Sequence, residues 1–135
     1  MAYMSQERKR ALAPQIKAVL KKYGVKGSIA VQHSSGLVVN IKSGPIDFIR
    51  NVNETMANRL HISPHATVAK DHLQVNPFWY HEHFTGTAKA FLTELVAAMN
   101  VGNHDRSDLS TDYHDVGWYI YINVGKWNKP YVLEA

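Results

Sequence analysis

The sequence predicts an α+β fold, on the strength of three stretches with apolar residues at helical spacing, a run of strand-like alternation early in the chain and another late in it. The element order reads α-β-β-α-β-α-β. Such an order places about three helices on a mostly antiparallel sheet of four to five strands. The 135 residues suit a single domain, predicted to span 1–135, able to bury more than half of the surface that the unfolded chain exposes.

Ser5 is a predicted cap for a first helix carrying Leu12, Ile16, Val19, Leu20 and Tyr23 on one face, with Gly24 as its stop. Pro14 interrupts that pattern, so either the helix kinks there or a short turn precedes a helix beginning near Ala13. From Gly27 to Lys42 the period is two. Ile29 and Val31, then Leu37, Val39 and Ile41, alternate around a turn at Ser34-Ser35-Gly36, the pattern of a β-hairpin. Ser43-Gly44-Pro45 opens a second helix with Ile49, Val52, Met56 and Leu60 on one face, and residues 61–67 break it. Val68 to Val75 is expected to contain a third strand. Thr85-Gly86-Thr87 starts a third helix whose stripe is Ala88, Phe91, Leu92, Leu95 and Met99, ended by Asn100 to Gly102. Gly117 to Val124 alternates Trp118, Ile120, Ile122 and Val124 against Tyr119, Tyr121 and Asn123, and Tyr131 to Leu133 adds an edge strand.

Composition narrows the classes of function. With 45% hydrophobic and 19% charged residues the chain has ordinary globular make-up, far from the signature of disorder. It has no cysteine, which excludes a disulfide framework, a thiolate zinc site and a cysteine nucleophile and fits a reducing, cytoplasmic setting. Arg8-Lys9-Arg10 follow the start closely, and no apolar stretch has the length of a signal peptide or a membrane span. Secretion and membrane insertion are therefore not expected. The net charge of +4 is uneven: residues 1–50 carry nine Lys or Arg against Glu7 and Asp47, and the remainder carries six against nine acids.

Three clusters are candidate sites. Arg8, Lys9, Arg10, Lys17, Lys21, Lys22 and Lys26 form a basic set that can neutralise phosphates or meet an acidic protein surface; the plainer alternative is a solvated helix face. Tyr119 and Tyr121, on the outer face of the last long strand, are the aromatics expected to be free for stacking, whereas Trp79, Trp118 and Trp127 are expected in or beside the core. The second cluster is Trp79-Tyr80-His81-Glu82-His83-Phe84. In an extended segment His81 and His83 project to one side and, with a third ligand, can hold a divalent metal ion; the alternative is a polar lead into the next helix. The third is the acidic loop of Asp105, Asp108, Asp112 and Asp115 with His104 and His114. Asp112, His114 and Asp115 are its candidate metal ligands, although the spacing departs from a calcium-binding loop and Ser107, Ser110 and Thr111 suit a loop of local hydrogen bonds. No cofactor other than such a divalent ion is implied. No phosphate-binding loop, nucleophile elbow or helical His-Glu-x-x-His pattern occurs, so no positive sign of an enzyme is present.

The run Ser28-Ile29-Ala30-Val31 through Ile41-Lys42-Ser43-Gly44-Pro45-Ile46-Asp47-Phe48 resembles a large polyvalent protein-associated domain of phages and conjugative elements. Trp79 to Gly86, and Thr111 to Tyr119 with Asn123 to Tyr131, are similar to other distinctive segments of the same group. The resemblance implies a phage or plasmid accessory protein acting in the host cytoplasm on host defence or host machinery. It carries over no catalytic or binding residue. The leading expectation is thus a non-catalytic protein that binds a host macromolecule or a defence signal. A basic-faced nucleic-acid-binding domain comes second, and a metal-dependent enzyme using His81, His83 and the aspartate loop third. An exposed terminal strand also leaves room for self-association.

Overall fold

In the computed structural model, which describes residues 2–60, 69–103 and 117–134, the first helix α1 runs Gln6–Lys22. Ser5 caps it as expected, its hydroxyl oxygen accepting the N–H of Arg8 at 3.0 Å. The helix ends in a Schellman motif: Val25 N–H donates to Leu20 O at 2.9 Å and Gly24 N–H to Lys21 O at 3.1 Å, with Gly24 at φ +69°. α1 continues through Pro14. That proline is on the exposed face, so the Arg10 carbonyl deprived of its usual donor can turn to water.

β1 (Lys26–Gln32) and β2 (Gly36–Gly44) form the expected antiparallel hairpin. α2 covers Phe48–Leu60 and begins later than Pro45, because Asp47 supplies the cap: its carboxylate accepts the Arg50 N–H at 3.0 Å. β3 is Leu73–Val75, α3 is the single turn Tyr80–His83, α4 is Gly86–Met99, β4 is Tyr119–Val124 and β5 is Val132–Leu133. The fold is α+β, with four helices and a five-stranded sheet among the described residues.

The sheet order is β1-β2-β4-β3, with β5 pairing β2 beyond the end of β4. Where a mostly antiparallel sheet is expected, the sheet is mixed. β1–β2 and β3–β4 are antiparallel, but β4 and β5 both run parallel to β2. The cause is connectivity: α2, β3, α3 and α4 all intervene between β2 and β4, a connection long enough to return the chain in the same direction. β2 is accordingly buried on both faces at Leu37, Val38 and Val39, the mark of a central strand with a parallel neighbour.

One apolar cluster joins α1 (Leu12, Ile16, Leu20), β2 (Leu37, Val39, Ile41), α4 (Phe91, Leu92, Leu95) and β4 (Ile122, Val124). Phe48 is its hub, with its ring 5.4 to 6.3 Å from those of Phe84, Phe91 and Tyr131. Tyr131 buries its hydroxyl and donates it to Ile46 O at 2.7 Å, and burial raises its pKa above the ordinary phenol value. No helix among the described residues is long and apolar enough to cross a membrane.

Candidate functional site

The two sides of β4 are finished differently. Tyr119 N–H donates to Ser35 O and Gly125 N–H to Ile41 O, so the odd-numbered residues aim their backbone groups at β2. The even-numbered residues face the other way. Ile122 and Val124 meet Val75 and Leu73 of β3. Trp118, just before the strand, meets a side chain instead: its N–H donates to Asn103 Oδ1 at 3.0 Å, and Asn103 Nδ2 donates to Trp118 O at 2.9 Å. Between them, Ile120 has its N–H and C=O on the same side, and among the described residues nothing takes either group.

Pro77 explains the gap. Continuing the β3–β4 register, position 77 falls opposite Ile120, where proline has no N–H to give. Asn76 then turns the chain away, its Oδ1 accepting the N–H groups of Phe78 at 2.8 Å and Trp79 at 3.2 Å. A cleft of about 700 Å³ opens at this point, between the edge of β4, the Asn76–Phe78 turn and the end of α4.

Aromatic rings and amides dominate the described lining of the cleft. Trp118 is buried at 2% exposure and anchored by its indole N–H, which donates to Met99 O at 3.0 Å. Phe78 and Tyr119 stand exposed at 77% and 45%. Tyr121 lies close over β2, since a methyl group at Gly36 would come 2.5 Å from its ring. Gln74, Asn76 and Asn100 add carboxamides. The expectation that Tyr119 and Tyr121 lie on the outer face of the last long strand holds, as does that of a buried Trp118. Trp79 and Trp127 are corrections, because both are exposed. Trp127 sits in a tight turn closed by Lys126 and Lys129, which carries its ring out into solvent at 81% exposure.

The basic set divides. Lys22 pairs with Glu94 at 2.8 Å, and Glu94 also accepts the Tyr23 hydroxyl. These two bonds, Lys22 first, hold the Glu94 carboxyl below its ordinary pKa. Lys26 pairs with Glu134 at 3.4 Å, and the Arg8 guanidinium lies 5.0 Å from the centroid of the Trp118 ring. Lys9 is half-buried. Arg10, Lys17 and Lys21 are exposed with no ion pair among the described residues, and their i, i+7, i+11 spacing puts them on one stripe of α1.

The histidine expectation changes with the local structure. His81 and His83 lie in the helical turn α3, not in an extended segment, and residues two apart on a helix leave it in nearly opposite directions. His81 joins Glu54, Glu82 and Lys89 around a second cavity of about 410 Å³, and His83 is not part of that lining. Among the described residues no three His, Asp or Glu side chains gather as a metal site. Asp112, His114 and Asp115, with His104, Asp105 and Asp108, lie outside the described residues. The residues that sequence patterns did not single out are Phe78, Pro77 and the asparagines. Pro77 does carry a signal, since a proline after a short apolar run marks the end of strand pairing; Asn103 carries none, because its partner is fifteen residues away.

Comparison with known proteins adds no relative: no family model, curated protein or solved structure matches this chain.

Proposed function

We propose that this chain is a non-catalytic binding protein of a phage or plasmid, holding a host macromolecule or a defence-signal ligand at the cleft beside β4. The single observation that carries this reading is the cleft itself: about 700 Å³, lined by the anchored Trp118 and the exposed Phe78 and Tyr119, and bordered by the Ile120 N–H and C=O, which nothing takes among the described residues. Phe78 and Tyr119 line one cleft with Trp118 and Tyr121, and aromatic rings grouped at one exposed place, unlike rings scattered singly, mark a surface that a partner covers. Aromatics and amides position a ligand rather than transfer its protons. The resemblance of the hairpin and the C-terminal run to a mobile-element domain supplies the cellular setting of the proposal.

The test is a pull-down from infected or donor cells with tagged protein, run beside a Phe78→Ala, Tyr119→Ala double variant. Capture of a specific partner or small ligand by the parent and not by the variant is expected. Equal capture by both, or none by the parent, overturns the reading.

A second reading has an observation of its own, the exposed stripe of Arg10, Lys17 and Lys21, which has no ion pair among the described residues. Three cations along one face can track a phosphate backbone, with affinity that falls as salt rises. Titration of labelled single- and double-stranded oligonucleotides at low salt tests it. Binding lost in Lys17→Glu, Lys21→Glu supports nucleic-acid recognition, and no shift at tens of micromolar protein, roughly the middle of the range of non-specific complexes at physiological salt and weaker than expected at low salt, ends it.

A further inference from the structure

We infer that the cleft recognises a nucleobase, read along one edge by the backbone of Ile120 and stacked by the aromatic rim; this rests on the cleft being the binding site proposed above. The local chemistry already contains the template. At Trp118, one position pair along the same strand edge, the Asn103 carboxamide presents an oxygen acceptor and a nitrogen donor on either side of one carbon. These satisfy the N–H and C=O of a single residue at 3.0 and 2.9 Å. Asn53 makes the same clasp on Ala69, at 2.8 Å for both bonds. Ile120 offers an equivalent pair with no such partner among the described residues.

What fits that pair is an acceptor and a donor flanking one ring carbon. Every nucleobase has such an edge: N1 and the exocyclic amine of adenine, N3 and the amine of cytosine, the carbonyl and ring N–H of guanine and uracil. An added peptide strand fits less well. A strand bonds to alternate residues of its neighbour, and the flanking positions, Trp118 and Ile122, are already taken by Asn103 and by β3. One open residue suits a planar ring, which needs one pair and gains the rest of its affinity by stacking. Phe78 and Tyr119 supply exposed faces for that, and the volume is ample for a nucleotide.

The experiment follows the Ile120 amide by NMR while the full chain is titrated with each of the four nucleoside 5′-monophosphates (AMP, GMP, CMP and UMP). At least one should move the Ile120 resonance saturably below about 5 mM. Two changes should each weaken that binding by about tenfold: methylating the base so that its donor is lost, and the Phe78→Ala, Tyr119→Ala double variant, its folding checked by an unchanged melting temperature. No saturable shift with any of the four overturns the inference, as does binding indifferent to base methylation. The pull-down separates this failure from that of the broader reading: a partner lost in the double variant while no mononucleotide binds leaves the cleft a binding site for something other than a nucleobase.

Discussion

The two ends of β4 complete the same edge by different means. At the Val124 end the backbone does it: β3 pairs with Ile122 and Val124, and Gly125 at φ +68° carries the chain into the turn that leads to Tyr131. At the Trp118 end a single carboxamide does it, and one residue, Ile120, is left without a partner among the described residues. Closure by backbone survives most substitutions, because every residue type but proline brings an N–H and a C=O. Closure by a side chain depends on one residue, and it can stop where a ligand needs room.

The closed end should break hardest, and only at its glycine. A methyl group at Gly125 would lie 2.5 Å from the backbone nitrogen of Tyr131, in a left-handed conformation that other residues resist. Gly125→Ala should cost about 3 kcal/mol in urea unfolding. At the open end Asn103→Ala should cost about 2 kcal/mol, because the N–H and C=O of Trp118 lose both bonds in a partly buried setting; a loss below about 0.5 kcal/mol would show that Asn103 does not hold the strand. The contrast sharpens in hydrogen exchange. The Ile120 amide should exchange faster than those of Ile122 and Val124, and Asn76→Thr with Pro77→Val, which frees β3 to extend, should slow it while closing the cleft. Equal protection of the three amides in the parent protein would mean that the window is already filled.

The smallest effect is expected away from β4, at the surface link between α1 and α4. The folded-state pKa of Glu94 is depressed, by Lys22 first and then by Tyr23, so its contribution is present above the ordinary carboxylate pKa and is lost as the pH falls through and below that range. In melting curves taken from neutral to acid pH, Glu94→Gln should flatten the dependence slightly. The pair is exposed and screened, so a large change would be inconsistent with this geometry.

Much of the fold was legible because periodicity reports which face of an element is buried. The stripes Leu12, Ile16, Leu20 and Phe91, Leu92, Leu95 mark α1 and α4, and the alternation from Trp118 to Val124 marks β4. Periodicity does not name the neighbour. That β4 lies parallel to β2 follows from a long connection, although the unbroken Leu37-Val38-Val39 run hints at a doubly covered strand. The cleft was less legible. It is defined by what β4 lacks on one side, and that absence depends on register, on Pro77 and on a carboxamide distant in sequence. The four-residue helix of His81 and His83 is too short for a helical period to show, and alternation by two is the pattern a reader finds there instead.

The parallel pairing of β2 and β4 also governs how the molecule is made. β1 and β2 can meet as soon as both have been synthesised, since three residues separate them, whereas β2 waits for a partner lying across more than half of the chain. Loop closure on that scale is slow. During the wait β2 has an unpaired apolar edge, so docking of β4 is the expected rate-limiting event in folding, and the interval before it is when the nascent protein is most prone to aggregate.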